Sequence, residues 1–147
     1  EIQSRSMIQP PSARSKKPFT VMIVDDSVSV RRVVSNLIKN AGWHSITAKD
    51  GLEALEMIYS ATQYPDLILL DIEMPRMDGY EFLSAIRAQD DYQHIPVVIL
   101  TSRSSEKHRG RALELGASAY VIKPYQDETL LDIIRQQGQD PQEAASA

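Results

Sequence analysis

The amino-acid sequence predicts an α/β fold, a five-stranded parallel sheet with five helices on both faces, and three observations lead there. Five short apolar runs, at residues 20–24, 43–48, 66–70, 96–100 and 119–122, are strand-sized, and most are rich in Val, Ile or Leu. Segments with helical apolar spacing follow each run, and such alternation implies right-handed crossovers between parallel strands with helices on both faces. Three runs, Val21-Met22-Ile23-Val24, Leu67-Ile68-Leu69-Leu70 and Val97-Val98-Ile99-Leu100, are apolar at every position. A strand covered on both faces needs that pattern, so these three are predicted to be central.

The first run ends in Asp25-Asp26, and Ser27 is placed to cap a helix. The stripe Val30, Val33, Val34, Leu37 and Ile38 gives that helix an apolar face, and Gly42 stops it. After the second run, Leu55, Ile58 and Tyr59 mark a second helix. The third run ends in Asp71 and is followed by a helix carrying Phe82, Leu83 and Ile86. The fourth ends in Thr101. Its helix, residues 105–115 before Gly116, holds Glu106, Lys107, His108, Arg109, Arg111 and an internal Gly110, so it has little to bury. The fifth run leads into Lys123-Pro124 and a last helix with Leu130, Leu131 and Ile134. Five strands suit the flavodoxin-like order 2-1-3-4-5, in which ligands bind beyond the carboxyl ends of the strands, where the winding reverses.

A chain of 147 residues suits one domain with one core, and 42% hydrophobic with 24% charged residues is an ordinary globular composition. There are no internal repeats. The absence of cysteine removes disulfides and thiolate metal sites and fits a cytoplasmic location. No apolar run approaches the roughly 20 residues of a membrane span, and the amino end lacks the regions of a signal peptide, so no membrane association is expected. A net charge of −4 argues against a nucleic-acid partner. Residues 1–18, with Pro10-Pro11, four serines and a local charge of +3, read as a linker or tag. Residues 19–137 are expected to form the domain and residues 138–147 a loose tail. Starting on Glu1 with Met7 inside the leader, the sequence reads as a fragment of a longer protein or a tagged chain.

The predicted strand ends bring together Asp25, Asp26, Asp71, Thr101 and Lys123. Singly, an Asp after a strand is an ordinary turn or cap residue. Together, three carboxylates need protons or a cation, because two unit charges about 4 Å apart repel by about 4 kcal/mol at an effective dielectric of roughly 20. Mg²⁺ is the simplest answer, since it takes oxygen ligands and is commonly held by one or two carboxylates plus a phosphate. Zinc would want His or Cys, and His44, His94 and His108 are scattered.

Four stretches then carry a resemblance: Val24-Asp25-Asp26-Ser27; Leu70-Asp71-Ile72-Glu73-Met74-Pro75-Arg76-Met77-Asp78-Gly79; Thr101-Ser102; and Tyr120-Val121-Ile122-Lys123-Pro124. In order, placement and spacing they resemble the receiver domain of two-component response regulators, over roughly residues 19–137. The resemblance implies that Asp71 is the phosphoacceptor, a carboxylate nucleophile taking phosphoryl from a phosphohistidine of a partner. It implies that Asp26, Asp71 and the backbone carbonyl of Glu73 ligate Mg²⁺ directly, with Asp25 acting mainly through bound water. Lys123 would pair with Asp71 and then with a phosphoryl oxygen. Thr101 would offer its hydroxyl to the phosphoryl group, Tyr120 would move inward as Thr101 moves, and the bond before Pro124 would be cis. Glu73 and Arg103 would tune dephosphorylation and could pair across the site.

The implied partner is a histidine kinase or histidine phosphotransfer domain, and a homodimer could form through the face of the fourth helix, fifth strand and fifth helix. The isolated domain would promote only its own phosphorylation and dephosphorylation. The run from Thr101 to Gly116 and the segment Val28-Ser29-Val30-Arg31-Arg32 are most similar to the carboxyl-terminal receiver of chemotaxis-type hybrid histidine kinases, including those linked to twitching motility. Stand-alone regulators share most of these residues. An aspartate-nucleophile phosphatase of the haloacid dehalogenase type needs Asp-x-Asp after its first strand, where this chain has Asp-Asp-Ser. A dinucleotide-binding domain needs a Gly-rich turn there. A receiver-like module that is never phosphorylated usually lacks an acceptor, acid pair or lysine, all present here.

Overall fold

The computed structural model describes residues 18–138, in which strands and helices alternate without exception. In chain order they are β1 (Thr20–Val24), α1 (Val28–Asn40), β2 (His44–Ala48), α2 (Gly51–Ser60) and β3 (Leu67–Leu70), then α3 (Gly79–Arg87), β4 (Val97–Thr101), α4 (Glu106–Glu114), β5 (Ala119–Ile122) and α5 (Asp127–Gly138). The sheet order is β2-β1-β3-β4-β5, with every neighbouring pair parallel. That is the expected 2-1-3-4-5 order, and the three fully apolar runs supply the three inner strands. Most boundaries fall within a residue of expectation, as strand and helix ends usually do. Thr101 is still in the ladder, opposite Ile122.

Each inner strand feeds two cores because successive side chains point to opposite faces. Met22, Val24, Ile68, Leu70, Val97 and Ile99 meet α2 and α3 through Leu55, Ile58, Phe82, Leu83 and Ile86. On the other face, Val21, Ile23, Leu67, Leu69, Val98 and Leu100 meet Val34 and Ile38 of α1 and Leu130, Leu131 and Ile134 of α5. Each such side chain contributes about 1.5–3 kcal/mol by leaving water.

The expected apolar stripe of α1 is too wide by one residue. Val34 and Ile38 are buried and Val30 and Leu37 half-buried, but Val33 is 62% exposed at the rim of that face. Tyr59 of α2 is likewise exposed. The expectation for α4 is met, since Ala112 is its one buried residue. Ser27 caps α1 as expected, accepting the Val30 amide, and Gly42 and Gly116, at φ 90° and 106°, end α1 and α4 in the left-handed region that glycine favours. Helix α5 runs through Gly138, one residue past the expected boundary. A Cβ there would come within 2.4 Å of the Phe19 ring, so this end of α5 lies directly on the start of β1. Apart from Pro18 and Gly138, the predicted linker and tail lie outside the described residues. Among those residues, no helix is long and apolar enough to cross a membrane.

Candidate functional site

Asp25 and Asp26 leave the end of β1, and Asp71 leaves the end of β3 beside it. The ladder continues past the strands, with the Asp71 amide donating to the Val24 carbonyl (2.9 Å) and the Asp25 amide to the Ala48 carbonyl (3.1 Å). Carboxylate oxygens of the three aspartates consequently lie within 4.8 Å of one another. Asp25 is buried and fully engaged: Oδ1 accepts the Ser27 amide (2.9 Å), Oδ2 accepts Lys123 Nζ (3.2 Å), and its backbone carbonyl accepts the Arg31 guanidinium (2.7 Å). Asp26 is exposed and Asp71 half-buried.

Lys123 thus forms its ion pair with Asp25, not with Asp71 as the resemblance implies; Asp25 is the most buried of the three clustered aspartates and the one with least access to water. Its charge still reaches Asp71. Burial and the Asp25 charge push the Asp71 carboxyl up to about 6, against the pull of Lys123 and the Ile72 amide bond; Asp26 adds a smaller upward push. The Lys123 amide donates to the Thr101 carbonyl (2.8 Å), and the Lys123-Pro124 bond is cis.

The opposite wall centres on Arg103. Its amide donates to Thr101 Oγ1 (3.2 Å), its carbonyl accepts the Tyr120 hydroxyl (2.7 Å), and its guanidinium pairs with Glu73 across the site. Thr101 is buried and accepts here, so its own hydroxyl proton is left for another acceptor. The Tyr120 ring, only 9% exposed, already lies inward. Glu73 and Arg103 do pair as the sequence suggested, and the contact holds the Glu73 carboxyl below the usual range. Both side chains are about half exposed, at 57% and 47%, so water screens the pair and it adds little to stability.

Two features escaped the sequence reading. Arg76 Nε and Nη2 donate to Asp50 Oδ2 (2.8 Å) and Oδ1 (3.1 Å), in a bidentate pair onto a buried acid. The Asp50-Gly51 step ahead of Leu52 is a legible cap signal, but nothing local announces a partner 26 positions away. The second is Tyr80, which carries the Arg111 guanidinium 4.1 Å from its ring centre and donates to the His108 carbonyl (3.4 Å), tying α3 to α4. Beside it a cavity of about 510 Å³ opens between Asp26, Glu73, Asp78 and His108. Where α3 begins, a Cβ on Gly79 would stand 2.3 Å from the Asp71 carbonyl oxygen, so only glycine fits. His44 and His94 lie exposed, and no histidine joins the acidic cluster among the described residues.

Comparison with known proteins places this geometry in a family. The response regulator receiver domain model matches residues 21–135. The sensor histidine kinase CheAY of Helicobacter pylori is 37% identical over 84% of the chain, which spans only 15% of that kinase's length. The chemotaxis response regulator CheY4 of Vibrio cholerae has a solved structure that matches 82% of the chain and 98% of its own, at 37% identity and a TM-score of 0.75. The receiver domain of the sensor histidine kinase PA1611 of Pseudomonas aeruginosa, solved with magnesium coordinated in its active-site cleft, matches 83% of the chain and 98% of its own, at 25% identity and a TM-score of 0.76. The chain therefore belongs to the response regulator receiver domain family, within two-component signalling.

Proposed function

We propose that Asp71 accepts a phosphoryl group from a phosphohistidine of a histidine kinase or phosphotransfer domain, with Mg²⁺ held by Asp26, Asp71 and the backbone carbonyl of Glu73. The observation that carries this reading is the convergence of three carboxylates within 4.8 Å, of which only Asp25 has a protein cation in contact among the described residues. The negative charge left on Asp26 and Asp71 and the all-oxygen donor set fit a hard divalent cation. The magnesium in the PA1611 receiver cleft supports the same choice. A bound ion would supply positive charge to the transferring phosphoryl group and would keep Asp71 ionised.

The chain's own groups supply the rest. The Ile72 amide holds Asp71 Oδ1 at 2.8 Å and orients the carboxylate for in-line attack. The bond from phosphorus to the donor imidazole breaks as a bond to an Asp71 oxygen forms, and no general base is required because the carboxylate is already the nucleophile. Lys123 can swing from Asp25 toward a phosphoryl oxygen, and the free Thr101 proton gives a second donor. Asp25, with one hydrogen bond on each carboxylate oxygen from Ser27 and Lys123, keeps lone pairs for a bound water and would act through it. Thr101 is bonded to Arg103, and Arg103 to Tyr120, so a pull on Thr101 is transmitted to the face of α4, β5 and α5. Glu73 and Arg103, paired with each other two residues beyond Asp71 and Thr101, would govern the approach of water to the acyl phosphate.

The likeness to CheAY favours a receiver attached to a chemotaxis-type histidine kinase in the cytoplasm, acting on no substrate but its own phosphoryl group. The fit to nearly the whole of CheY4 favours a stand-alone regulator as the second reading. In either setting the domain has no role on nucleic acid or membrane, and its α4-β5-α5 face is the candidate for homodimerisation.

The test is phosphorylation by acetyl phosphate with Mg²⁺, read by intact mass. The wild-type chain gains one phosphoryl group, and the Asp71→Asn variant, nearly isosteric but without the nucleophilic charge, gains none. Labelling of Asp71→Asn at the wild-type rate would move the acceptor elsewhere.

A further inference from the structure

We propose that Arg76, clasped to Asp50, is a positioning residue for the cation site: it fixes the loop whose Glu73 carbonyl completes that site. The inference rests on the metal reading above and adds to it a control point outside the site.

Glu73, Met74 and Pro75 form a short bridge between two anchored ends. Upstream, the Asp71 amide is held by the Val24 carbonyl (2.9 Å), and the Ile72 carbonyl accepts the Gly79 amide (2.8 Å). Downstream, the anchor is the start of α2. Both guanidinium donors of Arg76 reach Asp50, and the Gly51 amide donates to the Met77 carbonyl (3.3 Å). Asp50 is itself immobilised, since it is 2% exposed and caps α2 by accepting the Glu53 amide (2.8 Å). A three-residue bridge with both ends fixed and a proline inside has few conformations, so its carbonyl is aimed in advance. The Glu73 side chain adds little restraint, because its pair with Arg103 is largely solvated.

The backbone of Arg76 points the same way. It has φ 66°, the one non-glycine residue with positive φ among the described residues. The Met77 amide donates to the Pro75 carbonyl across it (2.7 Å), closing a γ-turn of the rare, strained hand. A side chain in that conformation persists where its surroundings over-determine it, and such strain clusters at functional sites. The bidentate bond to Asp50 is what over-determines it, and glycine, the natural choice for the backbone, could not make that bond.

Three changes to the full chain separate positioning from packing. Arg76→Gly relaxes the backbone and removes the clasp; Asp50→Asn keeps the α2 cap but loses the charge that Arg76 grips; the double variant leaves no charge buried alone. Mg²⁺ alone is titrated into each and followed by the amide resonances of Asp71 and Ile72, and melting is recorded in chelator. All three variants bind Mg²⁺ about tenfold more weakly, as loss of an outer-shell partner does in other metal sites. Arg76→Lys, with the charge but not the fork, recovers part of the loss. In the double variant the melting temperature returns toward wild type while Mg²⁺ affinity stays low, a split that a purely structural clasp would not produce. Wild-type affinity in the double variant overturns the inference. No Mg²⁺-dependent shift at Asp71 in the wild-type chain overturns the metal reading itself, a different result.

Discussion

At the residue scale, Asp71 is the most consequential side chain, and its environment makes a signed prediction. Its carboxyl titrates at about 6 in the folded chain against 3.8 ordinarily, so between these values the folded state holds more protons than the unfolded one. Stability therefore falls as pH rises from about 4 to about 6 and stays lower above. In metal-free protein, Asp71→Asn should be more stable than wild type at pH 7, by about 3 kcal/mol from the shift alone and on the order of 1–2 kcal/mol once solvent screening of this partly exposed group is allowed for, and the advantage should vanish below about pH 4. Urea unfolding of both proteins across this range checks it, and an advantage that grew toward acid pH would contradict the crowding of Asp71 by burial and Asp25. Asp50 has the opposite sign: Arg76 holds its carboxyl below the ordinary value, so its stabilising contribution is complete above that value and is lost as pH falls through the lowered one.

At the element scale, two glycines in helices predict opposite outcomes. A Cβ on Gly110 meets nothing within 4 Å, so Gly110→Ala should stabilise α4 by about 0.8–1 kcal/mol and slow its amide exchange. A Cβ on Gly79 would collide with the Asp71 backbone, so Gly79→Ala should cost more than about 2 kcal/mol and impair phosphoryl uptake. Thermal melts and acetyl phosphate labelling distinguish them. Elements were the most legible feature of the sequence. Short, largely apolar runs placed the five strands and the segments between them the five helices, because a run apolar at every position reports a strand covered on both faces and a 3.6-residue spacing a helix covered on one. Val33 and Tyr59 fit the apolar spacing of their helices and yet are exposed, because periodicity gives the direction of a helix face and not its width, which neighbouring elements set.

At the scale of the whole molecule, hydrogen bonds run from Thr101 at the end of β4 through Arg103 to Tyr120 of β5, the strand on which the lightly anchored α4 packs. Moving a two-state surface from about 1:99 to 99:1 needs roughly 5.5 kcal/mol, within reach of a few charge-assisted hydrogen bonds at about 1.5–3 kcal/mol each. Tyr120 already lies inward, so the expected response is a tightening of α4 more than a large ring movement. With a beryllofluoride mimic on Asp71, hydrogen exchange should slow across residues 101–115 and at Tyr120, and Thr101→Ala should respond much less; a uniform response along the chain would sink this coupling. The sequence by itself determined the fold class, the strand order and the set Asp25, Asp26, Asp71, Thr101 and Lys123, because parallel strands align their carboxyl ends and whatever follows them must converge. Only the tertiary structure decided how those groups pair. That Lys123 takes Asp25 before Asp71, that Arg103 links Thr101 to Tyr120, and that Arg76 reaches back to Asp50 all depend on burial and on distances between residues far apart in the chain, and no local pattern encodes these.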